Sequence, residues 1–463
     1  MNGLAKDLTR LIGDGKVLCQ PEDLLAYAND ATHYFRTQPP DAVVLPTSTG
    51  EVARILSYAY EHYIPVTPRG AGSGLSGGAT PVKGGIVVDT KRLNRIVEID
   101  RDNMTASVEG GVVLQNFHRA VEKRGLFYPP DPQSMSVCTI GANVATRAGG
   151  PRGVKYGTTG NYVTGLEVVL PDGSVIKTGG KFVKQSVGYD LTHLMTGSEG
   201  TLGVITGVNV RLLTLPPVTR TMVIVCESLD QAAELVSEII ARGAVPAMME
   251  FMIKLAITVM NNYVFPPLPT DGEAYLLMEI DGTAAQVEHD AETIKGICRD
   301  MKAREIREIE DERVARVYWK ARSAMYPFIM TIFKRCITED ITVPRSRIPD
   351  LVRSVQEIAA SVGIMIGLAG HAGDGNMHPT VLQNEINEEM EAKAKQAIDM
   401  LIRRGLELGG TISGEHGIGI HKQEYLDWEL DQIQIDLMKR IKAAFDPRGI
   451  MNPGKIWVEG GQQ

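Results

Sequence analysis

The sequence predicts an α+β protein, and the stretch between residues 42 and 88 is the first reason. Residues 42–46 have the pattern of a short strand, and Ser48 and Glu51 follow with the S-x-x-E spacing of a capping box. The next apolar residues recur with the period of one helix face: Val52, Ile55, Leu56, Ala59 and Tyr60. Two more apolar stretches, 64–67 and 86–88, complete a β-α-β-loop-β order. This order predicts a nucleotide-binding unit near the N-terminus.

A second reason is the change of pattern at Pro216 and Pro217. Beyond these prolines, predicted strands and helices alternate: strands at 222–225 and 274–280, and helices near 230–242, 249–260 and 285–316. We place a domain boundary at the prolines. The expected domains are 1–216 and 217–420, followed by a C-terminal helical segment at 421–463.

Composition excludes several classes of protein. Lys and Arg number 48 against 56 Asp and Glu, a net charge of −8, which argues against nucleic-acid binding. Hydrophobic residues make up 43% and charged residues 22%, as in globular proteins. No apolar run approaches the roughly 20 residues that span a bilayer, so we expect no integral membrane segment. The first residues lack the apolar core of a signal peptide.

The five cysteines are scattered and form no C-x-x-C pair. This pattern argues against a disulfide framework and against an iron–sulfur cluster bound by this chain alone. We therefore expect a reducing, cytoplasmic setting.

The most distinctive local feature is a glycine-rich loop at 68–79. Gly72, Gly74 and Gly77 satisfy the G-x-G-x-x-G pattern of dinucleotide-binding loops, but that site also needs a helix to begin at the glycines. Gly78 and Pro81 follow instead, so no helix is predicted and a Rossmann site is rejected. Two interpretations stay open: a nest of backbone N–H groups around a phosphate, or a surface turn.

Further segments extend this pattern along the chain. In order, they are PRGAGSGLSGG (68–78), PPDP (129–132), TIGANVATRAGG (139–150), GSEGTLGVIT (197–206) and NPGK (452–455). This ordered set resembles the FAD-binding fold of the vanillyl-alcohol-oxidase and p-cresol methylhydroxylase (PCMH) type. Within that type it is most similar to the group that contains glycolate oxidase, D-lactate dehydrogenase and D-2-hydroxyglutarate dehydrogenase. The similarity extends from about residue 20 to residue 457.

The resemblance implies a PCMH-type FAD-binding domain of two α/β subdomains. It also implies an antiparallel-sheet substrate (cap) domain with flanking helices. The residues that it assigns to FAD are Arg69, Gly70, Ala71, Gly72, Ser73, Gly74, Ser76, Gly77, Pro130, Asp131, Ser134, Gly141, Asn143, Gly149, Gly200, Ile205 and Asn452. Some relatives hold FAD through a histidine of the first loop. Residues 68–90 contain neither His nor Cys, so we expect non-covalent FAD and interpret Cys138 as a buried structural cysteine.

Four of the nine histidines lie between residues 371 and 421. His371 and His378 flank the sequence AGDGNM, and Glu415 and His416 follow in GEHG. Two histidines and a carboxylate can hold a catalytic divalent metal, although satisfied core histidines have the same spacing. The resemblance favours the metal, zinc, manganese or iron, with His371, His378 and Glu415 as its ligands. It makes His416 the catalytic base, and we interpret His421 as structural.

Three further sets of residues near these motifs have weaker signals. Asp374 and Asn376 either orient the ligands or form an Asp-Gly turn. Arg322, in the sequence WKAR, would by itself be interpreted as a surface residue. The resemblance makes it the residue that grips a substrate carboxylate, for which a planar guanidinium is suited. Glu339-Asp340 precedes a segment in which family members differ, which leaves the substrate side chain open.

The resemblance implies one reaction, the oxidation of a small D-2-hydroxy acid, D-lactate or glycolate, to the 2-keto acid. The hydride would pass to flavin N5, and the electrons to a redox partner such as electron-transfer flavoprotein or an iron–sulfur subunit. Two alternatives remain. One is a non-catalytic or electron-transfer subunit of a larger oxidase, and the other is a non-redox FAD enzyme on the same fold.

Overall fold

Within residues 3–32 and 37–458, which the computed structural model describes, the chain forms three sheets of four or more strands. The first sheet has the order β1-β2-β4-β3, in which β2, β4 and β3 are parallel. Its elements are α1 (Gly3–Ile12), β1 (Val17–Leu18), α2 (Pro21–Leu25), β2 (Ala42–Val44), α3 (Thr49–Glu61), β3 (Val66–Arg69) and β4 (Ile86–Asp89). The predicted β-α-β-loop-β order is therefore confirmed.

Helix α3 begins where the sequence predicts. The Glu51 N–H donates to Ser48 Oγ at 3.3 Å, which satisfies one free N–H of the first turn. The Glu51 carboxylate accepts from the N–H of Thr47 at 2.8 Å, one residue before the cap, so the cap is not a reciprocal capping box. The predicted apolar face is buried at Val52, Ile55, Leu56 and Ala59, and Tyr60 is half-buried.

The second sheet, β5-β6-β10-β8-β9, is entirely antiparallel. This part of the chain contains β5 (Ile96–Asp100), β6 (Thr105–Glu109), α4 (Leu114–Glu122), β7 (Leu126–Phe127), α5 (Ile140–Thr146), α6 (Gly153–Tyr156), β8 (Val163–Val169), β9 (Val175–Gly179), α7 (Leu191–Met195), β10 (Val204–Arg211) and β11 (Leu213–Thr214). A core that includes Phe117, Tyr128 and Leu166 packs between this sheet and its helices.

The third sheet has eight antiparallel strands in the order β15-β12-β14-β13-β18-β19-β16, with β17 paired to β19. Its region contains β12 (Val218–Cys226), α8 (Leu229–Ala241), β13 (Met248–Ile253), α9 (Lys254–Met260), β14 (Ala274–Gly282), α10 (Ala284–Asp300), β15 (Glu305–Ile309), α11 (Glu312–Ser323), α12 (Met325–Ile332), β16 (Arg335–Thr338), β17 (Ile341–Thr342), α13 (Ile348–Val362), β18 (Met365–His371), β19 (Asn376–Gln383) and α14 (Glu388–Glu407).

Two helix predictions in this region are wrong in part. Residues 248–253 form the central strand β13, and only 254–260 are helical. Both faces of β13 are covered, so its residues are continuously apolar apart from Glu250 and do not alternate. Within 285–316, the segment 305–309 is the edge strand β15, whose charged side chains suit an exposed sheet edge.

Residues on one strand of the third sheet alternate between two cores. On β14, Met278 and Ile280 face a core that helices α8, α10, α13 and α14 cover. Tyr275 and Leu277 face the opposite core, with residues of α9, α11 and α12. The sheet therefore has one face covered by four helices and another covered by short helices beside a cleft.

After α15 (Leu426–Glu429) and α16 (Gln432–Phe445), the chain returns to the first sheet. The N–H of Val66 donates to Ile450 O, and the N–H of Asn452 donates to Val66 O, both at 2.7 Å. Residues 450–452 thus lie beside β3, next to the first glycine loop. Among the described helices, none has the length and apolar character needed to cross a membrane.

Candidate active site

A cleft of about 1070 Å³ separates the glycine-rich segments from the third sheet. This volume is at the upper end for ligand pockets, which are typically about 300–1,000 Å³. One wall consists of segments 68–79, 131–152 and 199–205, and the other of residues from β13, α11, α12, β18 and β19 together with Glu415 and His416. The cleft therefore brings the predicted cofactor residues next to the predicted catalytic residues.

The first glycine loop connects β3 to β4 without a helix, as the sequence predicts. A Cβ atom at position 70 would overlap the Thr139 hydroxyl, so residues 68–79 and 139–150, the first and second glycine segments, pack against each other through bare backbone. Gly72 has a φ of +71°, and a Cβ there would overlap the Arg69 guanidinium. Only glycine fits at these two positions. The result is a wall of main chain that can approach a phosphate closely, as FAD binding requires.

Most of the predicted cofactor residues line the cleft. They are Arg69, Gly70, Gly72, Ser73, Gly74, Ser76, Asp131, Ser134, Gly141, Asn143, Gly149, Gly200 and Ile205. The lining does not include four of the predicted cofactor residues: Ala71, Gly77, Pro130 and Asn452. The amide of Asn452 donates to Gly78 O at 2.9 Å and to Glu199 O at 2.7 Å, so it links the first glycine segment to the third, residues 197–206.

The predicted metal ligands converge on one oxygen atom. His371 ends β18 and His378 lies on the neighbouring strand β19, joined by a short turn. Glu415 Oε1 is 3.2 Å from His371 Nε2 and 3.4 Å from His378 Nε2. Ligand atoms about 2.1 Å from a tetrahedral ion are about 3.4 Å apart, so these separations suit a divalent metal.

The donor atoms themselves support this fit. His371 Nε2 is buried and makes no well-aligned hydrogen bond within the described residues. A donor set of two imidazoles and one carboxylate suits zinc, manganese or iron. His416 stacks on His378 with ring centroids 5.2 Å apart, and its Nε2 is 4.0 Å from Glu415 Oε1. His378, Glu415 and His416 all line the cleft, whereas His371 is buried and is not among the lining residues.

The electrostatics of this cluster follow from burial and close opposite charges. Burial would raise the pKa of Glu415, but the imidazoles of His371 and His378 hold it well below its usual range. Burial would lower the pKa of His371, but the carboxylates of Glu250 and Glu415 raise it well above 6.5. Burial lowers the pKa of His416 and the neighbouring His378 adds to that effect, while the carboxylate of Asp340 opposes it. The surroundings of His416 therefore favour a neutral ring, as a proton acceptor needs.

Arg322 lines the cleft from the last turn of α11 and is only 3% exposed. Its Nη2 is 2.5 Å from Glu250 Oε2, but within the described residues neither its Nε nor its Nη2 makes a well-aligned hydrogen bond. The guanidinium therefore retains donors for an anion in the cleft.

Asp374 and Asn376 show features of both interpretations. The N–H of Asn376 donates to Asp374 Oδ1 at 3.2 Å, which is a local turn. Burial, with Glu415 and Glu250 nearby, raises the pKa of Asp374 to about 6 despite the opposing His371. His421 does not join the predicted metal ligands, and its Nε2 is 2.9 Å from Glu339 Oε1.

Comparison with protein families decides where this chain belongs. A family model described as the C-terminal domain of FAD linked oxidases matches residues 215–456, and one described as an FAD binding domain matches residues 40–179. The chain belongs to the FAD-linked oxidases. The first two glycine segments lie inside the FAD binding match, and His371, His378, Glu415 and His416 lie inside the C-terminal match.

Individual relatives agree with this family. This FAD-linked oxidase is 45% identical over 435 residues to glycolate oxidase subunit GlcD of Bacillus subtilis, covering 94% of this chain and 92% of that protein. It is 35% identical over 457 residues to D-lactate dehydrogenase of Anaerostipes hadrus, covering 96% of this chain and 95% of that protein. The chain is therefore an FAD-dependent oxidoreductase.

A solved structure confirms the predicted fold. Substrate-bound p-cresol methylhydroxylase matches this FAD-linked oxidase with a TM-score of 0.83 at 18% identity, covering 99% of this chain and 97% of that chain. The α+β architecture, the PCMH-type FAD-binding fold and the antiparallel third sheet with its flanking helices are those expected from the sequence.

Sequence reasoning missed two buried carboxylates of this FAD-linked oxidase. The sequence places Asp340 only beside a variable segment, yet its Oδ2 accepts from the N–H groups of Glu415 and His416 at 2.9 and 2.8 Å. Glu250 lies in a stretch predicted to be helical, yet it contacts both Arg322 and His371. A lone acidic residue within an apolar run was the available signal for Glu250, because buried charges are usually paired.

Proposed function

We propose that this FAD-linked oxidase oxidises a small D-2-hydroxy acid, D-lactate or glycolate, to the corresponding 2-keto acid. The observation that carries the proposal is the shared cleft. His378, Glu415, His416 and Arg322 line the wall opposite the glycine segments that are proposed to hold FAD. The names of the two relatives, a glycolate oxidase subunit and a D-lactate dehydrogenase, support this substrate class.

Arg322 is proposed to bind the substrate carboxylate. It supplies a buried guanidinium on the wall of the cleft, and within the described residues its Nε has no hydrogen-bond partner. A planar guanidinium can pair with a carboxylate through two parallel hydrogen bonds, which fixes the orientation of the substrate as well as its position. The hydroxyl-bearing carbon would then be directed towards the histidine cluster.

His416 is proposed to accept the hydroxyl proton at Nε2, the ring nitrogen on the side of Glu415. Its Nδ1 is 4.0 Å from Asp340 Oδ2, so a buried carboxylate faces the ring from the opposite side and favours the protonated form once it appears. The C2–H bond breaks with its electron pair as the carbonyl forms, so one proton and one hydride leave the substrate. When bound, FAD supplies the acceptor for that hydride.

His371, His378 and Glu415 are proposed to hold a divalent ion, zinc, manganese or iron. Such an ion would supply Lewis-acid polarisation of the substrate oxygens. The chain's own contribution is to keep the donor atoms at ligand spacing in a buried place, with Asp340 fixing the loop that carries Glu415.

FAD is proposed to bind without a covalent link. Cys138 is 3% exposed and is not among the residues that line the cleft, which supports its interpretation as structural. The reduced flavin needs an acceptor, and we propose a separate redox partner, such as electron-transfer flavoprotein or an iron–sulfur subunit. The word subunit in the name of the Bacillus subtilis relative supports an assembly.

Anaerobic flavin bleaching tests this function. The purified holoprotein is mixed with D- and L-lactate, glycolate and D-malate, and the absorbance of oxidised flavin is followed. We expect bleaching by D-lactate or glycolate, little by L-lactate, and formation of one 2-keto acid per flavin reduced. A flavin that stays oxidised with every hydroxy acid would contradict the proposal and favour a non-catalytic subunit or a non-redox FAD enzyme.

A further inference from the structure

Glu250 is a fully buried carboxylate in the middle of strand β13. On this strand Met249 and Phe251 belong to the core under the four long helices, and Met252 belongs to the opposite core. Neighbouring residues of a strand point to opposite faces of the sheet. Glu250 therefore points away from the core that contains Met249 and Phe251, towards the face beside the cleft. It is not itself among the residues that line the cleft. Its carboxylate therefore lies just behind the wall that carries the site.

The two oxygens of Glu250 serve two different residues of the site. Oε1 lies 2.5 Å from His371 Nδ1, and Oε2 lies 2.5 Å from Arg322 Nη2. His371 and Arg322 come from different elements, the end of β18 and the last turn of α11. Their side chains are 2% and 4% exposed, which leaves little room for water to replace either contact.

The sheet itself fixes the position of Glu250. Strands β13 and β18 are antiparallel neighbours, with Phe251 opposite Gly370 and Met252 opposite Ala369. Continuing this register by one residue puts Glu250 beside His371. The contact between carboxylate and imidazole is thus supported by backbone pairing as well as by side-chain geometry.

We propose that Glu250 is a positioning residue that holds the metal ligand His371 and the substrate-binding Arg322 through one carboxylate. The proposal rests on the proposed function, since it uses the roles assigned there to His371 and Arg322. It adds that metal affinity and substrate affinity depend on the same buried side chain, which contacts neither metal nor substrate.

The effect on His371 follows from its two ring nitrogens. When Nδ1–H donates to Glu250, the lone pair is on Nε2, the nitrogen that faces Glu415 at 3.2 Å. Carboxylates behind metal-binding histidines fix the ring and make it a stronger ligand, and their loss typically costs about 10–100-fold in metal affinity.

The effect on Arg322 is one of orientation. A guanidinium on the last turn of a helix has many rotamers, and ordering such a long side chain costs entropy. The Glu250 contact restricts the Arg322 side chain before substrate arrives, so a substrate carboxylate meets a preset pair of donors. Loss of the contact should raise KM for the hydroxy acid more than it lowers kcat.

The test is Glu250→Gln in the full holoprotein. Glutamine keeps the shape but offers one carbonyl oxygen and one NH₂ group, so it can accept from His371 or from Arg322 but not from both. The bound metal is removed with a chelator, and Mn²⁺ is titrated back while free Mn²⁺ is measured by electron paramagnetic resonance. Glu279→Gln is the matched control, because Glu279 is a half-buried carboxylate on the adjacent strand β14, and its charged neighbours are Arg152 and Asp281.

We expect E250Q to bind Mn²⁺ about 10–100-fold more weakly than the unmodified protein, with unchanged FAD content. KM for the hydroxy acid should rise, and E279Q should match the unmodified protein in Mn²⁺ affinity. Equal Mn²⁺ affinity and equal KM in E250Q and the unmodified protein would overturn this inference alone. No Mn²⁺ or Zn²⁺ binding by the unmodified protein would overturn the metal assignment on which it rests.

A second variant covers poor folding of E250Q. Glu250→Asp keeps the charge but withdraws both oxygens by one methylene. It should lower Mn²⁺ affinity and raise KM in the same direction, by smaller factors. Unchanged values in a folded E250D with normal FAD content would overturn the proposal.

Discussion

Gly149 and Glu415 are so close that a Cβ atom at position 149 would stand 2.5 Å from Glu415 Oε2 and 3.2 Å from Glu415 Cβ. Gly149 belongs to the second glycine segment, and Glu415 is a proposed metal ligand on the loop after α14. The proposed flavin site and the proposed metal site are therefore in direct van der Waals contact. This proximity is required if both are to act on one small substrate.

Gly149→Ala should damage the metal site from the flavin side. The new methyl group would push the Glu415 carboxylate away, because real Cβ atoms essentially never approach an oxygen so closely. We expect a lower metal content, measured by inductively coupled plasma mass spectrometry, and slower flavin reduction. Gly296→Ala is the control, since apart from the adjoining residues and backbone of its own helix, no atom of the described residues lies within 4 Å of a Cβ at that position. Helix propensity predicts that it is neutral or stabilising by up to about 1 kcal/mol. A normal metal content in G149A would contradict the assignment of Glu415.

His416→Asn should slow flavin reduction by about 10²–10⁴-fold, the usual contribution of a positioned general base. Asparagine cannot accept a proton near neutral pH, yet it fits the space of the ring. Stopped-flow absorbance measures the rate, and flavin and metal contents should stay near normal because His416 is assigned to neither group. An unchanged rate would exclude His416 as the base.

Arg322→Lys should lower kcat/KM by about 10–100-fold, which corresponds to the loss of a charge-assisted hydrogen bond of about 1.5–3 kcal/mol. Lysine keeps the charge but cannot form two parallel hydrogen bonds. Arg313→Lys is the matched control on the same helix, because Arg313 is exposed and pairs with Asp311 at 2.9 Å. If R322K and R313K have the same kcat/KM, Arg322 does not bind the substrate.

His118 should make the protein less stable in acid. Burial, with the nearby Arg152, lowers the pKa of His118 to about 3, and its Nε2–H donates to Pro130 O at 3.0 Å. In the unfolded chain, His118 binds a proton near pH 6.5. Above that pH neither the folded nor the unfolded chain binds it, so the contribution of the neutral, buried His118 to the free energy of unfolding is complete. It is lost progressively as the pH falls from 6.5 towards 3, by about 2 kcal/mol at pH 5.

His118→Gln tests this pH dependence, because glutamine can donate to Pro130 O but does not titrate. Urea unfolding of both proteins at pH 7 and pH 5 gives the free energies. The variant should lose about 2 kcal/mol less than the unmodified protein between the two pH values. Parallel losses in the two proteins would show that His118 does not cause the acid instability.

The sequence predicted those features whose signals are local. The period of α3, its Ser48 cap and the helix-free glycine loop follow from neighbouring residues, and the structure has all of them. His371 and His378 are seven residues apart, so one hairpin of β18 and β19 brings them together. The motifs in order also identified the family.

The features that were missed depend on contacts between distant parts of the chain. Glu250 is 72 residues from Arg322 and 121 from His371, and only the strand order of the third sheet brings the three together. Residues 249–253 were predicted as part of a helix, but they belong to a strand. A strand that is covered on both faces shows no alternation of apolar and polar residues, so its sequence pattern does not distinguish it from a buried helix. Asp340 likewise acts through backbone N–H groups, which no side-chain pattern reveals.

Asn452 joins glycine segments that precede it by 374 and 253 residues, through its bonds to Gly78 O and Glu199 O. Ribosomes make protein from the N-terminus at about 5–20 residues per second, so both segments are synthesised roughly 10–80 seconds before this amide exists. During that interval the nascent chain has the proposed phosphate-binding segments without the side chain that ties them together. FAD is therefore expected to bind tightly only after Asn452 has been synthesised and has joined the two segments.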